Sequence, residues 1–590
     1  MTIVTWTEVQ TESTGTDMEK QLFWICVLQA SLLVFCQDTD KTESVQNSES
    51  TSTEDTKSQV FGPIYTKSGP VKGRRIDKDG STHSEFLGIP YAEPPIGKLR
   101  FKSPKPVQKW NETLEAYTDG PMCIQTESFE TGGSSDMAED CLTLNIFTKS
   151  IDLDEPKAVM IWIYGGGFTS GSKNIYRMQG IIDEKVILVA MNYRLHALGF
   201  LSFGSDLVSG NMGLKDQQLA IQWVKNNIEH FGGDPEKITI FGESAGGVSV
   251  QAHVLSPYNK DMLSGAIAQS GSVLYLNIQP QGSELKTARN VAETLGCPAT
   301  LEQSTLDCLQ EVDIRSVLGN ITDPEEAQVD PSIELKYFFG PVIDSYSRNP
   351  FLPNDPLESL KTGMFHRIPY MSGTVTNEGA PIGIPGREGA ATLRLIESPA
   401  QAGFQTHYGQ DKLFGKLSTL IYNHTTGEST FEQERPAINF FTDSMFLSSD
   451  QKSVGLMSVH VRDVYNYHFS QQTNNSLIGQ FFELPIEYTP MHGDDVAFLV
   501  SSADVVDLTN FSDEEKSASR NMIKYWTNFA KHGSPSPALD DDDSPTWFPV
   551  TPTEKVSILL LTYYIQYNYF SFSLLELHGS EINTRNETRS

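Results

Sequence analysis

The chain of 590 residues carries 75 acidic and 44 basic side chains, a formal charge of −31. With no basic surplus to neutralise phosphates, nucleic acid is excluded as a partner, and the charge reads as a soluble acidic surface. A hydrophobic content of 38%, with 31 Phe and 21 Tyr, is ample for one large core.

Residues 1–17 precede Met18, which is read as the true start. Residues 18–36 read as a signal peptide: the apolar run 22–36 is too short to span a bilayer and ends on Val34 and Cys36, small enough for cleavage before Gln37. Cleavage leaves Cys123, Cys141, Cys297 and Cys308, an even set that suits two disulfides with three connectivities open. Sequons at Asn111, Asn320, Asn423, Asn474, Asn510 and Asn586 fit a secreted glycoprotein. Residues 37–59 are Ser-, Thr- and acid-rich and read as a disordered polar tether. The folded domain is expected over 60–560, with an atypical tail over 561–590.

Within the domain, Phe86–Phe101 is broken by three prolines and reads as loop and edge structure. Ala158–Tyr164, Val186–Tyr193, Ile238–Phe241, Ala266–Gln269, Pro369–Val375 and Val464–Phe469 read as buried strands, with a helix over 214–230. Strands alternating with helices predict a large, mostly parallel sheet with helices on both faces. Ser512 and Glu515 form a capping box, opening a helix that Gly533 closes and whose buried stripe is Ala518, Met522, Trp526 and Phe529. Asp540–Asp543 reads as a solvated acidic loop.

The chemistry gathers at Gly242-Glu243-Ser244-Ala245-Gly246. A strand runs into this Gly-x-Ser-x-Gly turn and a helix leaves it, so bulky flanking residues are excluded and the serine is held out at the strand end. The pentapeptide alone is weak, with roughly 0.2 chance matches expected in such a chain; its strand–helix context makes it useful. A serine needs a base, for which histidine is suited, and a carboxylate to orient that base. In chain order Ser, acid, His, Glu378 follows the strand ending at Val375 and His492 lies in a loop after the Val464–Phe469 strand. By spacing alone His492 is one of several candidates among 12 histidines. Gly165-Gly166-Gly167 follows a strand, and glycines let main-chain N–H groups approach an oxyanion; with Ala245, the Gly166 and Gly167 amides are the candidate hole.

These motifs resemble the type-B carboxylesterase and cholinesterase family of α/β-hydrolases. Glu139–Asn145, Tyr164–Phe168, Asn192-Tyr193-Arg194, Phe231–Pro235 and Phe241–Gly247 all resemble its signatures, in order, from about residue 60 to 560. The resemblance implies an α/β-hydrolase fold and a triad of Ser244, Glu378 and His492. It also implies disulfides Cys123–Cys141 and Cys297–Cys308, ion pairs Arg100–Glu139 and Arg194–Asp216, and Glu243 and Ser270 as buried groups behind the triad. The chain departs from cholinesterases between the first two cysteines. They carry a choline-binding tryptophan there, whereas Ile124–Asp140 holds Phe129 as its one aromatic residue. The apolar stretch 557–577 is broken by Gln566, Asn568 and Glu576, so no firm membrane anchor is expected. The expected activity is hydrolysis of small-molecule carboxylic esters through an acyl-enzyme, with no metal or organic cofactor and with choline-ester specificity doubtful. The alternative is a neuroligin-like, non-catalytic adhesion ectodomain on the same fold.

Overall fold

The computed structural model describes residues 57–560, apart from 61, 79–80, 126–135, 275–277, 280–281, 314–338, 384–433, 436–437, 440, 477–478, 480–483, 501–509, 538–545 and 553–557. The signal segment, most of the tether, the tail, the acidic loop, Phe129, Asn320, Asn423 and Asn586 lie outside the described residues.

Eleven strands form one sheet. In chain order they are β1 Lys57–Val60, β2 Arg74–Lys78, β3 Ser81–Pro90, β4 Thr143–Thr148, β5 Lys157–Ile163, β6 Ile187–Met191, β7 Gly233–Glu243, β8 Gly265–Gln269, β9 Tyr370–Val375, β10 Val464–Phe469 and β11 Ile558–Leu560. Across the sheet they run β1-β2-β3-β4-β6-β5-β7-β8-β9-β10-β11. From β6 to β11 every neighbour is parallel, whereas β1 to β4 pair antiparallel with each other and with β6. The parallel strands are continuous apolar runs because both faces are covered: in β5, Ala158 to Ile163 are all buried.

The proline-broken stretch meets the loop-and-edge expectation over residues 91–101, a loop with one 3-10 turn at Gly97–Leu99, but not before it. Phe86–Pro90 completes β3, which lies inside the sheet between β2 and β4. Gly88, at φ +68°, kinks the ladder where the register shifts between Phe86 and Ile89. Its N–H, turned from the ladder, is taken by Asn145 Oδ1 at 2.9 Å. Pro90 stands last in the strand, where a missing donor matters least.

Four helices bear on the site: α1 Met212–Asn227, α2 Ala245–Leu255, α3 Ser448–Ser458 and α4 Asp513–His532. All of α2 is buried, and it packs on β7 and β8. The capping box of α4 forms as expected, and Gly533 ends it at φ +73°. Met522, Trp526 and Phe529 are buried on its inner face, with Ala518 partly buried beside them.

Two bidentate ion pairs staple the loops around the sheet. Arg100 meets Glu139 through Nε and Nη2, both at 2.7 Å. Arg194 meets Asp216 at 2.8 and 2.7 Å, with both side chains buried. The disulfides are Cys123–Cys141 and Cys297–Cys308.

Candidate active site

Strand β7 delivers Ser244 at a backbone conformation of φ +57°, ψ −124°, outside the regions open to an ordinary side-chain-bearing residue. The surroundings enforce it. A Cβ on Gly242 would lie 2.4 Å from the Ile163 carbonyl oxygen, and one on Gly246 would lie 2.0 Å from that same atom. Ser244 N–H donates to the Gln269 carbonyl at 2.9 Å, and the Ser244 carbonyl accepts from Val248 N–H at 2.9 Å. The strained turn therefore stands where three chain segments meet, which is how such conformations persist.

Glu378 leaves the end of β9 and is fully buried. Its Oε1 accepts from the Val375 N–H at 2.9 Å, fixing the carboxylate against the strand it follows. Asn377 ties this turn to the histidine loop: its N–H donates to the Pro490 carbonyl at 2.9 Å, and its Nδ2 donates to the Tyr488 carbonyl at 3.1 Å. His492 is thereby delivered between acid and serine. Its Nδ1 is 2.7 Å from Glu378 Oε2 and its Nε2 is 2.8 Å from Ser244 Oγ. With Nδ1–H donating to the carboxylate, Nε2 is left to accept the serine proton.

Glu243 Oε1 lies 3.2 Å from the same Nε2. Burial alone would lower the imidazole pKa, but the Glu243 charge and the Glu378 hydrogen bond and charge outweigh it, so His492 is held above its ordinary 6.5. Ser270 is buried nearby at φ +50°, its N–H donating to the Gly373 carbonyl at 2.9 Å. Its Oγ finds no hydrogen-bond partner among the described residues. Gly166 and Gly167, after β5, take φ +88° and +63°. A Cβ on Gly165 would meet the Glu243 carbonyl at 2.8 Å and Ser244 Cβ at 3.0 Å, so this loop passes directly against the Ser244 turn. Ala245 opens α2, and its N–H belongs to the first turn, where no intrahelical acceptor exists.

Three neighbours were not singled out from the sequence. Phe446 packs its ring 4.7 Å from that of His492. Gln269 joins the site to the core: besides accepting from Ser244 through its carbonyl, its side chain donates to Asp495 at 2.9 Å and accepts from Trp526 at 3.1 Å. Asp495 also accepts from Tyr467 at 2.8 Å, and burial pushes its carboxyl up to about 6. Its place two residues beyond Gly493 in the His492 loop was the one available sequence signal.

Across residues 62–568, well over half the chain, the sequence matches the carboxylesterase family. The protein belongs to that family. Among its relatives, it is 33% identical to juvenile hormone esterase of Tribolium castaneum, over 80% of this chain and 84% of the relative. It is 34% identical to cholinesterase of Mus musculus, over 85% and 83% of the two chains. It is 33% identical to pyrethroid hydrolase Ces2e of Rattus norvegicus, over 88% and 89%. The protein is thus a carboxylic ester hydrolase of the α/β-hydrolase fold, acting on small-molecule esters.

The electrostatics of His492 can be checked apart from turnover. An NMR titration with ring-labelled histidine should place its midpoint above 6.5. Glu243→Gln should lower that midpoint by roughly 1–3 units, the range that one neighbouring charge produces. An unchanged midpoint would remove Glu243 from the account.

Proposed function

We propose that Ser244 is the nucleophile, His492 the general base and acid, and Glu378 the group that orients and stabilises the imidazole. The observation that carries this reading is the unbroken run of hydrogen bonds from Ser244 Oγ through His492 to buried Glu378. Ser244 Oγ adds to the ester carbonyl carbon as its proton passes to His492 Nε2. The carbonyl π pair moves onto oxygen, where the Gly166, Gly167 and Ala245 N–H groups receive it. Collapse breaks the C–O bond, and the leaving alcohol takes the proton from His492, leaving an acyl group on Ser244. Water then adds with the same proton route and frees the acid.

The enzyme is read as secreted. Support comes from the signal-like residues 18–36, the two disulfides and the exposed sequon asparagines Asn111, Asn474 and Asn510. Among the described residues no helix is long and apolar enough to cross a membrane. The adhesion alternative draws no support from the three relatives named, all of which are called esterases or hydrolases.

Their names point to different esters, so specificity is argued from this chain. A choline head needs an aromatic face within about 6 Å, a contact worth roughly 0.5–2 kcal/mol. The segment Ile124–Asp140 has no tryptophan to supply one. The charge of −31 attracts cations, but that field is long-range and screened, raising encounter rate more than it separates one bound ester from another. Neutral short-chain esters are therefore the proposed substrates.

Ser244→Ala should abolish covalent labelling by organophosphates and nearly all turnover while leaving the thermal melt of the protein in place. Labelling at the wild-type rate would show that the nucleophile is elsewhere. For the compartment, protein collected from the medium of expressing eukaryotic cells should begin near Gln37, carry N-glycans and contain no free thiol. Two free cysteines by intact mass before and after reduction would contradict the oxidised, secreted form. For specificity, kcat/KM for acetylcholine should lie below that for its uncharged carbon isostere at physiological salt, since losing a cation–π contact lowers relative specificity for the cation by about 2- to 30-fold. A higher value for acetylcholine would return the enzyme to choline esters.

A further inference from the structure

His196 lies outside the triad, yet two unfavourable features meet at it. Its backbone is left-handed, at φ +55°, where a side chain with a Cβ is strained and glycine is not. The residue is only 4% exposed, and its Nδ1 is buried with no hydrogen-bond partner among the described residues. Glycine at this position would remove both. Strain of this kind collects at functional sites, where the surroundings hold it in place.

The connections of His196 lead to one place. Its N–H donates to the Phe168 carbonyl at 2.8 Å. Phe168 follows Gly166 and Gly167 directly, and all three are left-handed, at φ +64°, +88° and +63° respectively. The other side of His196 is anchored: Arg194, two residues earlier, is locked in its buried pair with Asp216. The imidazole ring lies 4.4 Å from the ring of Phe339, at 41°. Burial pushes the imidazole pKa down to about 4, so a neutral ring packs there at physiological pH. Phe168 itself packs on Phe200 at 4.9 Å, four residues beyond His196.

We propose that His196 is a positioning residue for the oxyanion loop, fixing Gly166–Phe168 through its N–H while its ring, held against Phe339, keeps that N–H in place. The inference rests on the reading of Gly166 and Gly167 as oxyanion donors. Such donors stabilise only when aimed at the atom where charge develops. Glycine at 196 would keep the N–H but free its φ and ψ, loosening the one backbone bond that His196 gives the loop.

The test compares a trifluoromethyl ketone with its methyl ketone analogue as inhibitors. Ser244 Oγ adds to the ketone carbon, its proton passes to His492, and the resulting oxyanion sits where that of the ester intermediate would. Wild-type enzyme should bind the trifluoromethyl ketone far more tightly than the methyl ketone. No difference between them would remove the oxyanion reading, and this inference with it. In His196→Gly, kcat and trifluoromethyl ketone affinity should both fall by about tenfold while KM stays put, as expected when a transition-state contact is misplaced. A residue acting only in the fold would instead lower the melting temperature while leaving kcat per folded enzyme and trifluoromethyl ketone affinity unchanged. His196→Asn accepts the left-handed backbone but lacks the ring, and should show the same kinetic loss; it decides the matter should the glycine variant not fold. Tight trifluoromethyl ketone binding in wild type and in both variants alike, with kcat unchanged, would overturn the proposal.

Discussion

A single carbonyl oxygen, that of Ile163 at the end of β5, sets the geometry of the site. The turn around Ser244 presses two Cα atoms, those of Gly242 and Gly246, so close to it that a methyl group on either would fall 2.4 or 2.0 Å away. No side chain mediates this contact, so it has the stiffness of backbone on backbone. The chain leaving β5 then becomes Gly165–Gly167, which passes against Glu243 and Ser244. The Ser244 turn and the glycine loop are therefore held by one close approach, and each inherits the precision of the parallel sheet beneath.

Glu378 and His492 are held by different means. Glu378 and His492 come from loops beyond β9 and β10, parallel neighbours in the sheet, and the Asn377 bonds to Tyr488 and Pro490 join those loops. Beneath them lies a layer of buried carboxyls. Burial pushes Asp494 up to about 7 and Asp450 and Asp495 up to about 6, each held by neighbouring donors. With Glu243 and Glu378, Asp495 favours positive charge on His492 and outweighs the burial that disfavours it. On the proposed mechanism, this raised proton affinity is what proton transfer to His492 in a dry site would use.

Local signals carried the sequence reading where the cause of structure is local. The glycines around Ser244 announce a tight turn because sterics act over a few residues, and the Ser512–Glu515 capping box formed as written. Apolar runs such as Ala158–Ile163 announce buried parallel strands for the same reason. Where the determining partner is distant, the reading failed or stayed silent. Prolines near Pro90 suggested an exposed edge, but Gly88 and the Asn145 side chain, contributed by β4, absorb the break inside the sheet. Phe446 and Gln269 carry no local mark of their positions beside His492 and Ser244.

The sequence by itself determined the tight turn around Ser244 and the order of chemical groups along the chain, because periodicity and glycine sterics are properties of neighbouring residues; the hydrolase class came through family resemblance. Its 12 histidines are indistinguishable by spacing, and family resemblance was needed to choose His492 among them. Only the tertiary structure decided that Nε2 of His492 stands 2.8 Å from Ser244 and 3.2 Å from Glu243, and that the imidazole is consequently raised. It alone set the strained backbone of His196 against the glycine loop. Electrostatic shifts and backbone strain depend on distances between residues far apart in the chain, and those distances exist only once the sheet has assembled.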